Sequence, residues 1–267
     1  MKSILVRLFL YTFGRPFFQP FFELLFRIGI KGMNYGGGAD YKISGERDLI
    51  VNMAKEWKGT GKRVTIFDIG ANVGGYTKMV AEVLDKYSIE YVIYAFEPSE
   101  KTFAKLVDCL KGRSNLRPVR VGVGSSIGNA RLFEHDKVSG LASLYDRDLA
   151  HVGLSLGSTG EVPVTTIDRF CEEKTIDGID FLKIDVEGAE LDVLKGASRM
   201  LNAKKIANIQ FEFGGTAMDA RIYVKDFFKF LESFDIFRIL NHGLRKLDHY
   251  KESYEIFYPV NFYARRK

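Results

Sequence analysis

The sequence is poor in the residues that staple or ligate: two Cys, four His, six Pro and one Trp in 267 residues. Two cysteines cannot build a disulfide framework or a four-thiolate metal cluster. Cys109 and Cys171 fall in predicted helices, where a small core side chain is the expectation. The histidines, at 135, 151, 242 and 249, lack ligand spacing, so no metal set is expected from them. Long apolar runs are also absent. At the N-terminal end the longest uncharged stretch, Leu8 to Gly14, is far short of the ~20 residues that span a bilayer. What is present is a globular composition, 46% hydrophobic and 27% charged, which excludes wholesale disorder.

The net charge of +5 invites a nucleic-acid reading until it is located. Residues 1–38 carry +4, the last three residues carry +3, and the remainder carries −2. The body therefore has no basic, aromatic-interleaved stripe to track a phosphate backbone, and no nucleic-acid partner is expected. The basic ends read as orienting features that hold a cytoplasmic enzyme on the inner face of an anionic membrane or near an anionic acceptor.

Residues 1–30 are rich in Phe and Leu, punctuated by Arg7, Arg15, Glu23, Arg27, Pro16 and Pro20. A signal peptide fits poorly, because no small-residue cleavage site precedes Arg15. Two readings remain: a helical pair packed as a lid over one edge of the domain, or an interfacial element with Phe at the acyl boundary. Gly36, Gly37 and Gly38 mark a flexible joint, giving an extension over 1–38 and a main domain over 39–267.

From residue 62 strands and helices alternate, which argues an α/β fold with a mainly parallel sheet. Strands are expected at 63–69, 91–97, 116–123, 179–185 and 205–213, with two closing strands at 237–241 and 254–264. Helices are expected at 76–86, 100–110, 167–171 (capped by Thr166), 187–201 and 224–234. Residues 124–165 read as two short strands, 130–134 and 161–165, around a long Gly/Ser-rich loop.

The block FDIGANVGG (67–75) occupies a strand-to-helix turn, where glycines allow close approach and free amides face a ligand. A dinucleotide fingerprint needs Gly-x-Gly-x-x-Gly. Here the spacing is Gly70-x-Asn72-x-Gly74, and Asn72 obstructs a diphosphate while offering hydrogen bonds to a smaller polar group. The amino-acid end of S-adenosylmethionine is such a group. Gly70 and Gly74 would host its carboxylate and amine, with Asp68 bound to the amine. Glu97 ends the second strand and would accept the ribose hydroxyls, and the Val123–Gly124 backbone would line the adenine.

Four blocks together resemble the FkbM-type methyltransferases: FDIGANVG (67–74), FEP (96–98), VPVTTID (162–168) and DFLKIDVEGAE (180–190). The resemblance implies a Rossmann-like class I methyltransferase fold, with a seven-stranded mostly parallel sheet and helices on both faces. It also implies S-adenosylmethionine-dependent O-methylation of a hydroxyl on a sugar of a polysaccharide, glycolipid or related natural product.

In an open α/β sheet, ligands bind beyond the carboxyl ends of the strands. Lys183, Asp185 and Glu187 alternate there and share one face if the strand persists. Three charges on one face are unlike a buried core. Asp185 is the expected base or hydroxyl-orienting residue, with Lys183 holding the acceptor or tuning that carboxylate. Glu212, at the end of the fifth strand, is a second base candidate. Glu187 belongs either to the site or to the first turn of the next helix, where the dipole favours it. Metal assistance would use these same carboxylates, but none is expected. In the long loop, Ser143, Tyr145 and Arg147 suit hydroxyl or phosphate recognition by a lid that buries Leu141 and Leu144. The competing classes are a non-catalytic membrane-associated module and a nicotinamide oxidoreductase. Asn72 and the lack of a Tyr-x-x-x-Lys relay disfavour the latter.

Overall fold

A computed structural model describes residues 2–37, 41, 43–134, 142–143 and 157–267. Two helices, α1 (Lys2–Phe13) and α2 (Gln19–Gly32), form an N-terminal hairpin, and α3 (Glu46–Trp57) follows. Strand and helix then alternate through β1 (Val64–Ile69), α4 (Gly75–Lys86), β2 (Tyr91–Phe96), α5 (Glu100–Leu110) and β3 (Leu116–Val119). Next come β4 (Gly122–Val123), β5 (Gly128–Glu134), β6 (Gly157–Thr165) and α6 (Ile167–Lys174). The chain continues with β7 (Phe181–Ile184), α7 (Glu190–Lys195), α8 (Ser198–Asn202), β8 (Asn208–Phe213), α9 (Thr216–Ala220) and α10 (Val224–Phe230). It closes with β9 (Phe234–Ile239), β10 (Leu244–Leu247) and β11 (Val260–Arg266).

The main sheet has eight strands in the order β10-β9-β11-β8-β7-β1-β2-β3. The pairs β3–β2, β2–β1, β1–β7 and β7–β8 are parallel, and β11 inserts antiparallel between β8 and β9. Because β9 opposes β11, it runs in the same direction as β8. The inner strands are apolar on both faces, as sheets covered on both sides require. In β1, Val64 and Ile66 enter one core, beside Met79 and Val80 of α4, while Phe67 and Ile69 enter the other, beside Phe170 of α6.

Several boundaries differ from the sequence expectations, each for a local reason. The eighth strand is β10, which pairs only with β9 as an edge hairpin and is three-quarters exposed by residue, so it carries little apolar signal. The third strand stops at Val119, and Gly122–Val123 pairs instead with β6 in a separate three-stranded sheet, β4-β6-β5. The helix expected over 187–201 is two short helices. Asp168 of α6 breaks it by accepting the Arg199 and Met200 amides at 2.7 and 2.9 Å, capping α8 from outside.

The glycine joint at 36–38 is anchored where it is described. Tyr35 is buried, the Asn34 side-chain amide donates to Ser44 O and Ile239 O, and Gly36 N–H donates to Pro259 O at 2.7 Å. Beyond that root the hairpin is not laid over the domain: Ile30 is the buried residue of α2, and the apolar side chains of α1 are exposed where described. The lid reading of residues 1–30 therefore lacks the packing it needs.

Candidate functional site

One rung of the sheet is polar. Asp68 of β1 lies in register with Lys183 of β7, and Lys183 with Gln210 of β8. All three are buried, beneath the carboxyl edge of the parallel strands. Lys183 Nζ lies 3.7 Å from Asp68 Oδ1 and 2.9 Å from Asp185 Oδ2, and 4.7 Å above the Tyr76 ring. Tyr76 Oη donates to Gln210 Oε1 at 3.1 Å, and the Gln210 amide donates to Glu46 Oε1 at the start of α3.

This network exists because a buried ammonium needs compensation. Burial alone would lower the Lys183 pKa, but Asp185, Asp68 and Glu46 outweigh it and hold the amine protonated, above the usual lysine range. Burial raises Asp68 and Glu46, and Lys183 opposes the rise in both. Lys183 has 5% of its side chain exposed and Asp185 38%, so Asp185 is the member through which the network reaches solvent. Of the two expectations for Lys183, the contact in place is the one to Asp185, whose Oδ2 it meets at 2.9 Å.

The glycine turn sits directly beside this rung. Gly70 has φ +82°, and a Cβ there would lie 1.8 Å from Asp185 O. The turn and the end of β7 therefore touch main chain to main chain, which only glycine allows. Gly74 also has positive φ, and a Cβ would press on Leu106 of α5 at 2.8 Å. Asn72 adopts a left-handed φ of 47°, and its N–H donates to Glu97 Oε2 at 3.1 Å. Glu97 Oε1 accepts the Ser99 N–H at 2.9 Å. Burial pushes the Glu97 carboxyl up to about 7, with those two amides opposing the shift. Two buried acceptors here, Asp68 Oδ1 and Asn72 Oδ1, have no hydrogen-bond partner, a condition that a ligand ammonium or amide would relieve. These acceptors fit the ammonium at the amino-acid end of S-adenosylmethionine. Val123 is buried, and Gly124 N–H donates to Thr165 O at 3.0 Å, so the 123–124 backbone is committed to the small sheet.

The acceptor side is acidic. Glu187 lies in the turn after β7, with φ 55°, three residues before α7 begins; it is not part of that helix. The turn is shaped by Glu190, whose Oε1 accepts the Val186 and Gly188 amides, both at 3.1 Å. Burial pushes the Glu190 carboxyl up to about 7. One carboxylate oxygen from each of Asp185, Glu187 and Glu212 lies within 4.8 Å of the others, a spacing that could hold a divalent cation. Neither His nor Cys spacing could announce this trio, because it is assembled from a strand end, a turn and the next strand. Burial, then the Asp185, Glu187 and Glu190 charges, push Glu212 well above the carboxylate range. A raised pKa disfavours the ionised form and makes that form the stronger base.

Ser143, bridged to Phe133 of β5, donates its hydroxyl to Glu187 O at 2.7 Å and is buried. It ties the long loop to the acidic turn. Tyr145, Arg147, Leu141, Leu144, His135 and His151 lie outside the described residues. Sequence reasoning passed over Glu46, Tyr76, Gln210, Glu190 and Thr77, whose hydroxyl donates to Asp68 Oδ2 at 2.5 Å. The signal for Gln210 was an amide between Ile209 and Phe211 in β8, and Glu190 closed a block already singled out.

A sheet ordered β3-β2-β1-β7-β8-β11-β9, with a glycine turn after β1 and an acid after β2, defines a Rossmann-like class I methyltransferase fold. Within that class the chain belongs to the FkbM methyltransferases: the Methyltransferase FkbM domain matches residues 68–240. It is 25% identical over 175 residues to the hexuronic acid methyltransferase AglP of Haloferax volcanii, covering 64% of each chain. It is 30% identical over 149 residues to Methyltransferase 1 of Beauveria bassiana, covering 49% of this chain and 57% of that one. The chain thus spans less than two thirds of the length of either relative. Among solved structures, the plantazolicin methyltransferase BpumL in complex with SAH matches with a TM-score of 0.43 and 8% identity, over 85% of this chain and 86% of that one.

Proposed function

We propose that the chain is an S-adenosylmethionine-dependent O-methyltransferase acting on a hydroxyl of a sugar in a polysaccharide, glycolipid or related natural product. The observation that carries the reading is the buried Lys183, which couples the glycine-turn side of the site, through Asp68, to the solvent-facing Asp185. The hexuronic acid methyltransferase relative supports a sugar acceptor.

When bound, S-adenosylmethionine supplies an electrophilic methyl carbon on a positively charged sulfur. Asp68 Oδ1 and Asn72 Oδ1 would accept from its amine, and Glu97 from its ribose hydroxyls. Gly70 and Gly74 would let the main chain approach, and the Val123–Gly124 backbone would line the adenine. Asp185 Oδ2 is bonded to Lys183, so Oδ1 is the atom that receives the acceptor hydroxyl proton. Such a base contributes roughly 10²–10⁴-fold. Glu212 is the second candidate base, and Glu187 lines the same mouth. Ser143 joins the acceptor side through its bond to Glu187 O. Residues 39–267 form the catalytic domain and 1–38 its extension.

Titration calorimetry with S-adenosylmethionine and, separately, NAD tests the donor assignment. Binding of the first is expected, weakened in Glu97→Ala; tight NAD binding with no response to S-adenosylmethionine would overturn it.

A further inference from the structure

The N-terminal hairpin exposes more apolar surface than a water-facing element tolerates. Of the twenty-one large hydrophobic side chains that are exposed among the described residues, thirteen lie between Ile4 and Ile28. They do not form a stripe. Leu8, Phe9 and Leu10 are consecutive and 50–62% exposed, and Leu24, Leu25 and Phe26 are consecutive and 47–58% exposed. Three consecutive helical residues span more than half of a helix's circumference, so each helix is apolar over a wide sector, and in α2 a narrow polar face of Gln19, Glu23, Arg27 and Lys31 remains. A wide apolar sector beside a narrow charged face suits a helix lying in a leaflet, apolar side among the acyl chains and charges at the headgroups.

The dimensions and charges specify how lipid would be met. Helices of twelve and fourteen residues are about 18 and 21 Å long, short of the ~30 Å hydrocarbon core, and no helix among the described residues is long and apolar enough to cross it. The exposed charges are Arg7, Arg15, Arg27 and Lys31 against Glu23, complementary to anionic headgroups. The root is fixed by Asn34 to Ile239 O, at the end of β9, and by Gly36 to Pro259 O, just before β11. Both points lie on the carboxyl edge of the sheet. Strands β9 and β7 are three strand spacings apart, about 15 Å.

We propose that α1–α2 is a monotopic membrane-docking hairpin that inserts into one anionic leaflet. It holds the carboxyl edge, with Asp185, Glu187 and Glu212, toward the lipid surface. The proposal stands on the hairpin alone and does not require the methyl-transfer reading.

The test is co-sedimentation of the full chain with phosphatidylcholine vesicles, with and without phosphatidylglycerol. Binding to the anionic vesicles is expected, reduced by salt, and weakened about a hundredfold in R7Q/R15Q/R27Q. Variant F9S/F17S/F21S/F26S is expected to stay in the supernatant with unchanged thermal unfolding, because these rings are exposed. The proposal is overturned if the intact chain ignores anionic vesicles. It is equally overturned if the Ser variant binds like the parent, or if the hairpin forms a dimer that excludes vesicle binding.

Discussion

Replacing Lys183 by Met probes the polar rung directly. The substitution keeps most of the side-chain volume over Tyr76 and removes the charge that compensates Asp68, 1% exposed, and Asp185. Removing one partner of a buried ion pair costs about 3–5 kcal/mol. At roughly 2–4 °C per kcal/mol, the melting temperature should fall by about 10 °C at pH 8. The loss should depend on pH, and its sign follows from Asp68. Burial already raises that carboxyl, and without Lys183 it rises further. A carboxyl raised in the folded state favours folding at low pH, and that contribution is lost as pH climbs from the unfolded pKa of about 4 toward the folded value. Lys183→Met should therefore be much closer to the parent at pH 5 than at pH 8. The double variant Asp68→Asn/Lys183→Met should recover most of the loss, since replacing both partners leaves no orphaned charge. Urea or thermal unfolding at the two pH values reads all of this. A cost below about 1 kcal/mol, or one equal at pH 5 and pH 8, would refute the reasoning.

Other expectations concern binding and turnover. Glu97 is pushed up to about 7 and must be ionised to accept two hydroxyls, so affinity for S-adenosylmethionine should rise about tenfold from pH 6 to pH 8. Calorimetry across that range checks this, and Glu97→Gln should abolish the slope. Gly70→Ala forces a Cβ against Asp185 O and a positive φ on a non-glycine residue, so it should cost at least about 1–2 kcal/mol and weaken cofactor binding. A variant that melts and binds like the parent would show that the two main chains need not touch. If Lys183 is the cation that neutralises the site, turnover should survive EDTA. Loss that Mg²⁺ restores would place a divalent ion on Asp185, Glu187 and Glu212 instead.

The parallel half of the sheet was legible because β1, β2, β7 and β8 are short apolar runs ending in Gly, Glu or Asp, and burial on both faces makes such runs continuous. The edge was not legible: β10 is mostly exposed, and its pairing with β9 depends on a hairpin rather than on its own hydrophobicity. In the site, Asn72, Glu97 and Asp185 could be located because each follows a strand by a fixed step, and Asp68 because it is the one charge inside an apolar strand. The role of Lys183 could not be fixed, since alternation placed it on a face without saying how deep. Depth came from its neighbours in register, Asp68 and Gln210, which are 115 and 27 residues away in sequence. Glu187 was ambiguous for a related reason: Glu190, by folding back onto two amides, moved the helix start past it.

The most direct measurement uses S-adenosylmethionine with a deuterated methyl group, incubated with the protein and a glycan and glycolipid extract, and follows the label by mass spectrometry. Labelled methyl should enter a glycan or glycolipid with the parent chain. It should fall roughly 10²–10⁴-fold with Asp185→Asn while that variant binds S-adenosylmethionine unchanged. No label in any glycan fraction, or equal label with Asp185→Asn, would contradict the assignment.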